Sequence, residues 1–128
     1  MKYGFIGLGN LGAPIAENIL VNVKQLFVYN RTESRTTPLV EKGAVLCLSV
    51  KELASLCDVV FSVVSNDAAL KEITEGSEGI AANLKPGGIH ISISTILPAT
   101  AKALSQLHQE NKIAIINGIF QFYSSRSG

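Results

Sequence analysis

The stretch that decides the fold is Tyr3-Gly4-Phe5-Ile6-Gly7-Leu8-Gly9-Asn10-Leu11-Gly12, which runs directly into Ala13-Pro14-Ile15-Ala16. An apolar run, a glycine-rich turn and a run with helical spacing follow one another without a gap. In such a strand–turn–helix, Gly7 permits the tight turn, Gly9 lets the backbone approach phosphate oxygens, and Gly12 lets the helix lie close to the strand. The N–H groups of the first helical turn then face the anion. The glycine spacing alone is weak evidence, but in this context it predicts a dinucleotide site over Gly7–Gly12.

Short β-branched runs alternate along the chain with longer runs of helical periodicity. The segment Val59–Val64 is apolar nearly throughout, as expected of a parallel strand that is covered on both faces. The predicted strands are Lys2–Gly7, Gln25–Asn30, Val45–Leu48, Val59–Val63, Gly88–Ile93 and Lys112–Ile116. The predicted helices are Asn10–Val21, Glu33–Lys42, Val50–Leu56, Asp67–Thr74 and Pro98–Glu110, with a short turn at Gly79–Asn83. This alternation predicts an α/β fold with a doubly wound, mostly parallel sheet of the Rossmann type and about six strands.

Residues at the ends of the predicted helices agree with these boundaries. Asn22 follows the first helix where a left-handed cap is expected, and Gly43 ends the second. Ser65-Asn66-Asp67 offers N-cap side chains to the helix after the fourth strand.

The composition is that of a globular protein and excludes several partners. The chain has 128 residues, of which 47% are hydrophobic and 16% charged, and its formal net charge is +1. We expect one domain over residues 1–118, followed by a divergent, flexible tail over residues 119–128. The basic residues are scattered and form no stripe that could neutralise a nucleic acid backbone. No apolar run is long enough to span a bilayer or resembles a signal peptide, so we expect no membrane partner and a cytoplasmic location.

Other reactive side chains do not form a recognisable catalytic or metal pattern. Cys47 and Cys57 lack metal-ligand spacing and are predicted to be reduced, buried residues, so no metal site is expected. His90 lies inside a predicted strand and His108 on a predicted helix, away from a strand's carboxyl end. Each is predicted to be a satisfied or solvated imidazole. The chain therefore offers no catalytic residue of its own.

The end of the second predicted strand indicates which dinucleotide is bound. An acidic residue at this point binds the ribose 2′-hydroxyl of NAD, whereas this chain has Asn30-Arg31-Thr32. Arg31 can pair with a phosphate dianion and stack on adenine, which favours NADP over NAD. Alternatively, the segment only caps the next helix and Arg31 is solvated. Glu33 could serve as a displaced acid, although its place in the first helical turn favours a role in complementing the helix dipole.

Four motifs in order resemble those of the β-hydroxyacid dehydrogenases, the family that includes 3-hydroxyisobutyrate dehydrogenase and glyoxylate/succinic semialdehyde reductase. They are Gly4–Pro14, Val28–Thr32, Gly76–Ile80 and Ser94–Thr100, and the resemblance runs from Met1 to about Asn117. It implies an NADP-binding domain related to that of 6-phosphogluconate dehydrogenase.

The resemblance also implies roles for individual residues. Val64-Ser65-Asn66 would lie along the cofactor, Thr95 would contact its nicotinamide side, and Ser94 would bind the substrate carboxylate. Ser94 and Thr95 follow a predicted strand at the edge of the sheet where a ligand is expected. They could instead form a turn that starts the next helix, and the two roles can coexist. The implied cofactor-binding residues are Gly7, Leu8, Gly9, Asn10, Leu11, Gly12, Asn30, Arg31, Thr32, Val64, Ser65, Asn66 and Thr95.

This chain departs from the family pattern in two places and lacks part of it. Ser92 stands where the family usually has an aspartate, and Asn117–Gln121 differs from the family's turn after the sixth strand. The family's catalytic lysine and its helical second domain have no counterpart in the sequence. We therefore expect dinucleotide binding with little or no turnover, and binding of a small hydroxyacid only if a second domain is supplied.

Exposed apolar residues near Ile113–Phe122 would then favour a homodimer. A fragment or truncated product of an NADP-dependent dehydrogenase, a non-catalytic dinucleotide sensor and an interaction module all remain open.

Overall fold

The computed structural model describes residues 1–94 and 96–117. Its strands form one sheet in the order β3-β2-β1-β4-β5-β6, and every neighbouring pair is parallel. The strands are β1 Tyr3–Ile6, β2 Leu26–Tyr29, β3 Val45–Leu46, β4 Val59–Ser62, β5 Ile89–Ser92 and β6 Ala114–Asn117. The helices are α1 Gly12–Val23, α2 Thr37–Glu41, α3 Val50–Leu56, α4 Asp67–Thr74, α5 Ile80–Asn83 and α6 Pro98–Glu110, with a 3₁₀ turn at Glu33–Thr36. The predicted doubly wound α/β fold is confirmed.

Apolar side chains on the two faces of the sheet form two clusters. One contains Phe5, Ala16, Leu20 and Val28, and the other contains Leu53, Val60 and Ile80 together with Cys47 and Cys57. Such burial on both faces explains why the strands are apolar in successive residues.

The strand register brings the carboxyl ends of the central strands to one edge. Ile6 of β1 lies between Tyr29 of β2 and Ser62 of β4, and Ser62 in turn lies opposite Ser92 of β5. The chain passes from one side of β1 to the other between β3 and β4. Ligands of open α/β sheets bind at such a switch point, outside the carboxyl ends of the strands.

The ends of two helices correct the predicted boundaries. The left-handed cap of α1 is Lys24, with φ 65°, whose N–H donates to the Leu20 carbonyl at 2.9 Å, so Asn22 is not the cap. The helix runs to Val23, and the left-handed residue follows its actual end. The predicted helix over 33–42 is a 3₁₀ turn followed by the short α2, which has Pro38 in its first turn. Because proline has no N–H to continue the preceding turn, a new helix starts there.

Two other predicted helix ends are confirmed. Gly43 has φ +107° and its N–H donates to the Val40 carbonyl, which ends α2. Asn66 Oδ1 accepts the Ala69 N–H at 2.8 Å and caps α4.

The expected exposed apolar segment near Ile113–Phe122 is only partly as predicted. Ile113 is buried within one of the two clusters, whereas Ile116 is 48% exposed. Residues 118–122 of that segment, like the predicted tail over 119–128, lie outside the described residues. No helix in the described part of the chain is both long and apolar enough to cross a membrane.

Candidate functional site

The glycines of the turn between β1 and α1 meet different surroundings. Gly7 has φ +99°, and a Cβ built there would overlap the Val63 carbonyl. A Cβ on Gly12 would overlap the Gly7 carbonyl, so both of these glycines are required by the close approach of backbone to backbone. A Cβ on Gly9 would meet nothing within 4 Å. Gly9 is therefore the position at which an absent side chain leaves open space, as a bound pyrophosphate would need.

The start of α1 suits an anion. Within the described residues, no side chain caps this helix end, and its first turn contains no acidic residue. The helix dipole favours a negative charge at this point. Within the first turn, the Ala13 N–H already donates to the Gly9 carbonyl at 3.0 Å and Pro14 has no N–H, so the dipole contributes more than the number of free donors. Asn10 and Leu11 are exposed beside it.

Asn30 connects the glycine turn to the end of β2. Its Oδ1 accepts the Leu8 N–H at 2.8 Å, and its Nδ2 donates to the Thr32 carbonyl at 2.9 Å. The sequence motif predicted a ligand-facing polar group at Asn30, whereas the structure shows its carboxamide bound to backbone on both sides. The side chain of Leu8 is 1% exposed and packs in the core, and its N–H is already engaged.

A cleft of about 400 Å³ opens at the carboxyl ends of β1, β2 and β4. Its apolar walls include Val50, Ala69 and Ile73. The cleft is lined by Ile6, Gly7, Tyr29, Asn30, Arg31, Ser49, Val50, Val64, Ala69, Glu72, Ile73 and Glu78. The structure thus brings Gly7, Asn30, Arg31 and Val64, four of the predicted site residues, to one cavity.

Charged side chains stand at the cleft. Arg31 Nη2 lies 3.8 Å from Glu72 Oε1, with the two side chains 85% and 66% exposed. Glu78 Oε2 lies 3.6 Å from Lys51 Nζ. The sequence motifs do not include Glu72, although Ala69, Glu72 and Ile73 have the spacing that places residues on one face of a helix.

The loops after β4 and β5 are joined by Ser94. Its Oγ accepts the Val64 N–H at 3.1 Å, and the residue is 6% exposed. Ser65 is exposed next to the cap residue Asn66. Thr95, the predicted contact to the nicotinamide side, lies outside the described residues.

The two histidines form a buried chain of hydrogen bonds away from the cleft. Ser62 Oγ lies 2.7 Å from His90 Nε2, His90 Nδ1 lies 3.0 Å from His108 Nε2, and His108 Nδ1 lies 2.6 Å from the Leu104 carbonyl. Since a carbonyl only accepts, His108 Nδ1 carries the proton. With both rings neutral, His90 Nδ1 then donates to His108 Nε2, and the Ser62 hydroxyl donates to His90 Nε2. Burial, with a smaller contribution from His108, lowers the pKa of His90 to about 3.

Neither histidine is placed to act as a base in the cleft. Both are almost fully buried, and burial also lowers the pKa of His108. The prediction of satisfied imidazoles is confirmed for both.

The cysteines are buried thiols, as predicted. Cys47 and Cys57 are free and at most 2% exposed. Burial is the main cause that raises the pKa of the Cys47 thiol to about 11, so it stays protonated and unreactive near neutral pH. Among the described residues, no three His, Cys, Asp or Glu side chains are grouped so that they could hold a metal ion.

Ser92 and Asn117 leave polar atoms without a partner near the same edge of the sheet. The two residues are opposite each other in the β5–β6 register. Ser92 Oγ and Asn117 Oδ1 are buried and have no hydrogen-bond partner among the described residues. The resemblance described above implies an aspartate at the position of Ser92, so this departure coincides with an unsatisfied hydroxyl.

The fold and the glycine turn define a class, the Rossmann-type nucleotide-binding domains. The chain belongs to the family described as the NAD binding domain of 6-phosphogluconate dehydrogenase, whose model matches residues 2–118.

Similar proteins include oxidoreductases and a nuclear factor. The chain is 39% identical over 110 residues to "Uncharacterized oxidoreductase YfjR" of Bacillus subtilis, covering 86% of this chain and 38% of that protein. It is 33% identical to "Cytokine-like nuclear factor N-PAC" of Danio rerio, covering 83% of this chain and 23% of that protein. It is 32% identical to "Probable 3-hydroxyisobutyrate dehydrogenase, mitochondrial" of Dictyostelium discoideum, covering 89% and 36%. The resemblance to the hydroxyacid dehydrogenases is confirmed, and the chain spans less than two fifths of the length of these relatives.

A solved structure agrees with these relatives. The structure described as "Psf3 in complex with NADP+ and 2-OPP" matches with a TM-score of 0.84 at 28% identity. The match covers 88% of this chain and 40% of that one.

Proposed function

We propose that this chain binds NADP(H) as the nucleotide-binding part of an oxidoreductase similar to 3-hydroxyisobutyrate dehydrogenase. Such an enzyme would transfer hydride between NADP(H) and a small 3-hydroxyacid or semialdehyde. The observation that carries the proposal is the open space at Gly9, next to an uncapped helix start among the described residues. The similar solved structure is a complex with NADP+, which supports the choice of ligand.

Each part of the dinucleotide has candidate residues at the carboxyl edge of the sheet. The glycine turn Gly7–Gly12 would hold the pyrophosphate, and Asn30–Thr32 would hold the adenosine end. Arg31, exposed at the cleft, would pair with the 2′-phosphate. Val64–Asn66 would lie along the cofactor, and Thr95 would lie on the nicotinamide side. NAD would also fit the pyrophosphate site, but without a 2′-phosphate it would gain nothing from Arg31.

When bound, the nicotinamide ring of NADP(H) would accept or donate the hydride. Hydride transfer from an alcohol also needs a group that takes the hydroxyl proton within hydrogen-bond reach. His90 and His108 are hydrogen-bonded to each other in the interior, away from the cleft. Ser94, the candidate for the substrate carboxylate, already accepts a backbone N–H and is almost fully buried. We therefore propose that these 128 residues bind the cofactor without turnover on their own.

Calorimetric titration with NADPH and NADH tests the assignment. We expect NADPH to bind at least about tenfold more tightly, equivalent to about 1.4 kcal/mol, and Arg31→Ala to remove most of this preference. Arg35→Ala is the matched control, because Arg35 is exposed on the 3₁₀ turn and does not line the cleft.

Three outcomes would count against the proposal. Equal affinities for the two dinucleotides would overturn the NADP preference, and no binding of either would overturn the function. Steady reduction of NADP in the presence of hydroxyacids would show that the chain contains a catalytic base of its own.

A second candidate is a dinucleotide-binding module without catalysis, which acts as a sensor or an interaction module. The similarity to a protein named as a nuclear factor supports this candidate. Both candidates require dinucleotide binding, so titration does not separate them. Neither candidate predicts turnover by these residues alone, so the discriminating observation is whether neighbouring genomic sequence encodes a helical second domain, which would favour the first candidate.

A further inference from the structure

We infer that Glu72 limits the preference for NADPH over NADH by competing with the 2′-phosphate for Arg31. This inference rests on the proposed dinucleotide site and concerns a residue of α4 that the sequence motifs do not include. It assigns Glu72 as a determinant of cofactor specificity.

The position of Glu72 follows from two separate elements that meet at the cleft. Arg31 is the second residue after β2, and Glu72 comes from the last turn of α4. Their side chains approach to 3.8 Å, and both line the cleft. Ala69 and Ile73 line it from the same helix. The carboxylate is thus held beside the guanidinium by a helix whose other cleft residues are apolar.

The charges at the cleft are not equivalent. Glu78 also lines it, but Lys51 lies 3.6 Å from its carboxylate and offsets its charge. Among residues 1–94 and 96–117, the cation within ion-pair distance of Glu72 is Arg31, the group that would recognise the 2′-phosphate. A phosphate monoester carries between one and two negative charges at neutral pH. NADPH would therefore be attracted by Arg31 and repelled by Glu72, whereas NADH presents no such charge at this point.

The expected size of the effect is modest because both side chains are exposed. Ion pairs at the surface contribute little in water, and salt screens them. For a carboxylate and a phosphate about 7 Å apart near the surface, Coulomb repulsion reduced by screening corresponds to an affinity change of about threefold. The salt dependence itself is a signature, because the Debye length falls from about 10 Å at 0.1 M to about 3 Å at 1 M salt.

The test compares wild type, Glu72→Gln and Glu72→Asp in titrations with NADPH and with NADH. We expect Glu72→Gln to bind NADPH about three- to tenfold more tightly at low salt, with NADH affinity unchanged. At about 1 M salt this gain should disappear. Glu72→Asp keeps the charge and should stay close to wild type. Glu110→Gln removes an equal charge from the exposed end of α6, outside the cleft, and should change neither affinity.

Several results would overturn the inference. If NADPH affinity is unchanged or falls in Glu72→Gln while NADH still binds, Glu72 does not compete with the phosphate and the proposed function stands. An equal gain for both dinucleotides, or the same gain in Glu110→Gln, would show a general effect of charge. Binding of neither dinucleotide to wild type would overturn the proposed function together with this inference.

Discussion

At the scale of single residues, Gly9 and Gly12 are expected to be glycine for different reasons, one for ligand binding and the other for folding. Both belong to the same turn, yet a Cβ on Gly12 would overlap a backbone carbonyl, while a Cβ on Gly9 would meet nothing within 4 Å. Backbone cannot move aside as a flexible side chain can. Gly12 therefore serves the packing of α1 on β1, and Gly9 leaves the space that the proposed ligand would need.

We expect Gly9→Ala to change the free energy of unfolding by less than about 1 kcal/mol, because the methyl group enters open space. The same methyl group would occupy the path of the pyrophosphate, so the affinity for NADPH should fall at least about tenfold. Chemical denaturation and titration of one sample would measure both quantities.

Gly12→Ala is the matched control and should destabilise the protein by about 2 kcal/mol or more, as steric clashes in a packed region do. If Gly9→Ala bound NADPH as tightly as wild type, the pyrophosphate would not lie against Gly9.

At the scale of elements, the hydrogen bonds from Ser62 to Leu104 join β4, β5 and α6. The Leu104 carbonyl fixes the tautomer of His108, and through it the orientation of every proton in the chain of bonds. A proton added to either ring would place a charge in the interior, and burial lowers the pKa of both histidines for this reason. Both rings are therefore held neutral in the folded protein.

We expect stability to fall on mild acidification because of His90. Its folded pKa of about 3 lies below the ordinary value of 6.5, so the unfolded chain binds the extra proton. The contribution of neutral His90 to the free energy of unfolding is complete above pH 6.5. It decreases as the pH falls and is lost by about pH 3. At about pH 5 the free energy of unfolding should be lower by about 2 kcal/mol than at about pH 8. Urea denaturation at a series of pH values would measure this slope.

The double variant His90→Leu with His108→Leu should have a flatter profile between about pH 5 and pH 7. Asp58 and Asp67 do not account for this interval, because hydrogen bonds lower the pKa of each carboxylate from 3.8. A wild-type profile with no slope over the same interval would contradict the assignment.

At the scale of the whole molecule, the sequence predicted the fold because local patterns and topology agree. Runs such as Val59–Val64 are apolar in successive residues, and helices separate them, which leaves few arrangements other than a parallel, doubly wound sheet. The glycine turn and the position of Arg31 at the cleft could also be predicted, because the residues of each motif are adjacent in the sequence.

Features that depend on contacts between distant segments could not be predicted. His90 and His108 each look like an isolated imidazole in the sequence. Their rings stack only because the fold brings β5 and α6 together. Glu72 is one of several glutamates on exposed helix faces until the fold places it beside Arg31. Asparagine tolerates left-handed backbone, which favoured Asn22 as the cap of α1, but the length of the helix places Lys24 there instead.

Self-association remains a prediction at this scale. Ile116 is 48% exposed on β6, which is one of the two edge strands of the described sheet. Exposed apolar residues on edge strands favour pairing with another copy. We expect light scattering to give a mass that rises toward a dimer with concentration, and Ile116→Lys to reduce it. A single monomeric mass for wild type at high concentration would contradict this prediction.

The double attachment of the Asn30 carboxamide has a consequence for redesign of the cofactor preference. The Asn30 oxygen accepts the Leu8 N–H and its nitrogen donates to the Thr32 carbonyl. The glycine turn and the segment after β2, which would bind the two ends of the proposed ligand, are therefore both hydrogen-bonded to the same side chain. A substitution of Asn30 intended to change only the proposed ribose contact would also remove the hydrogen bond to the Leu8 N–H in the glycine turn. Engineering of coenzyme choice should therefore begin at positions 31 and 72 and leave position 30 as it is.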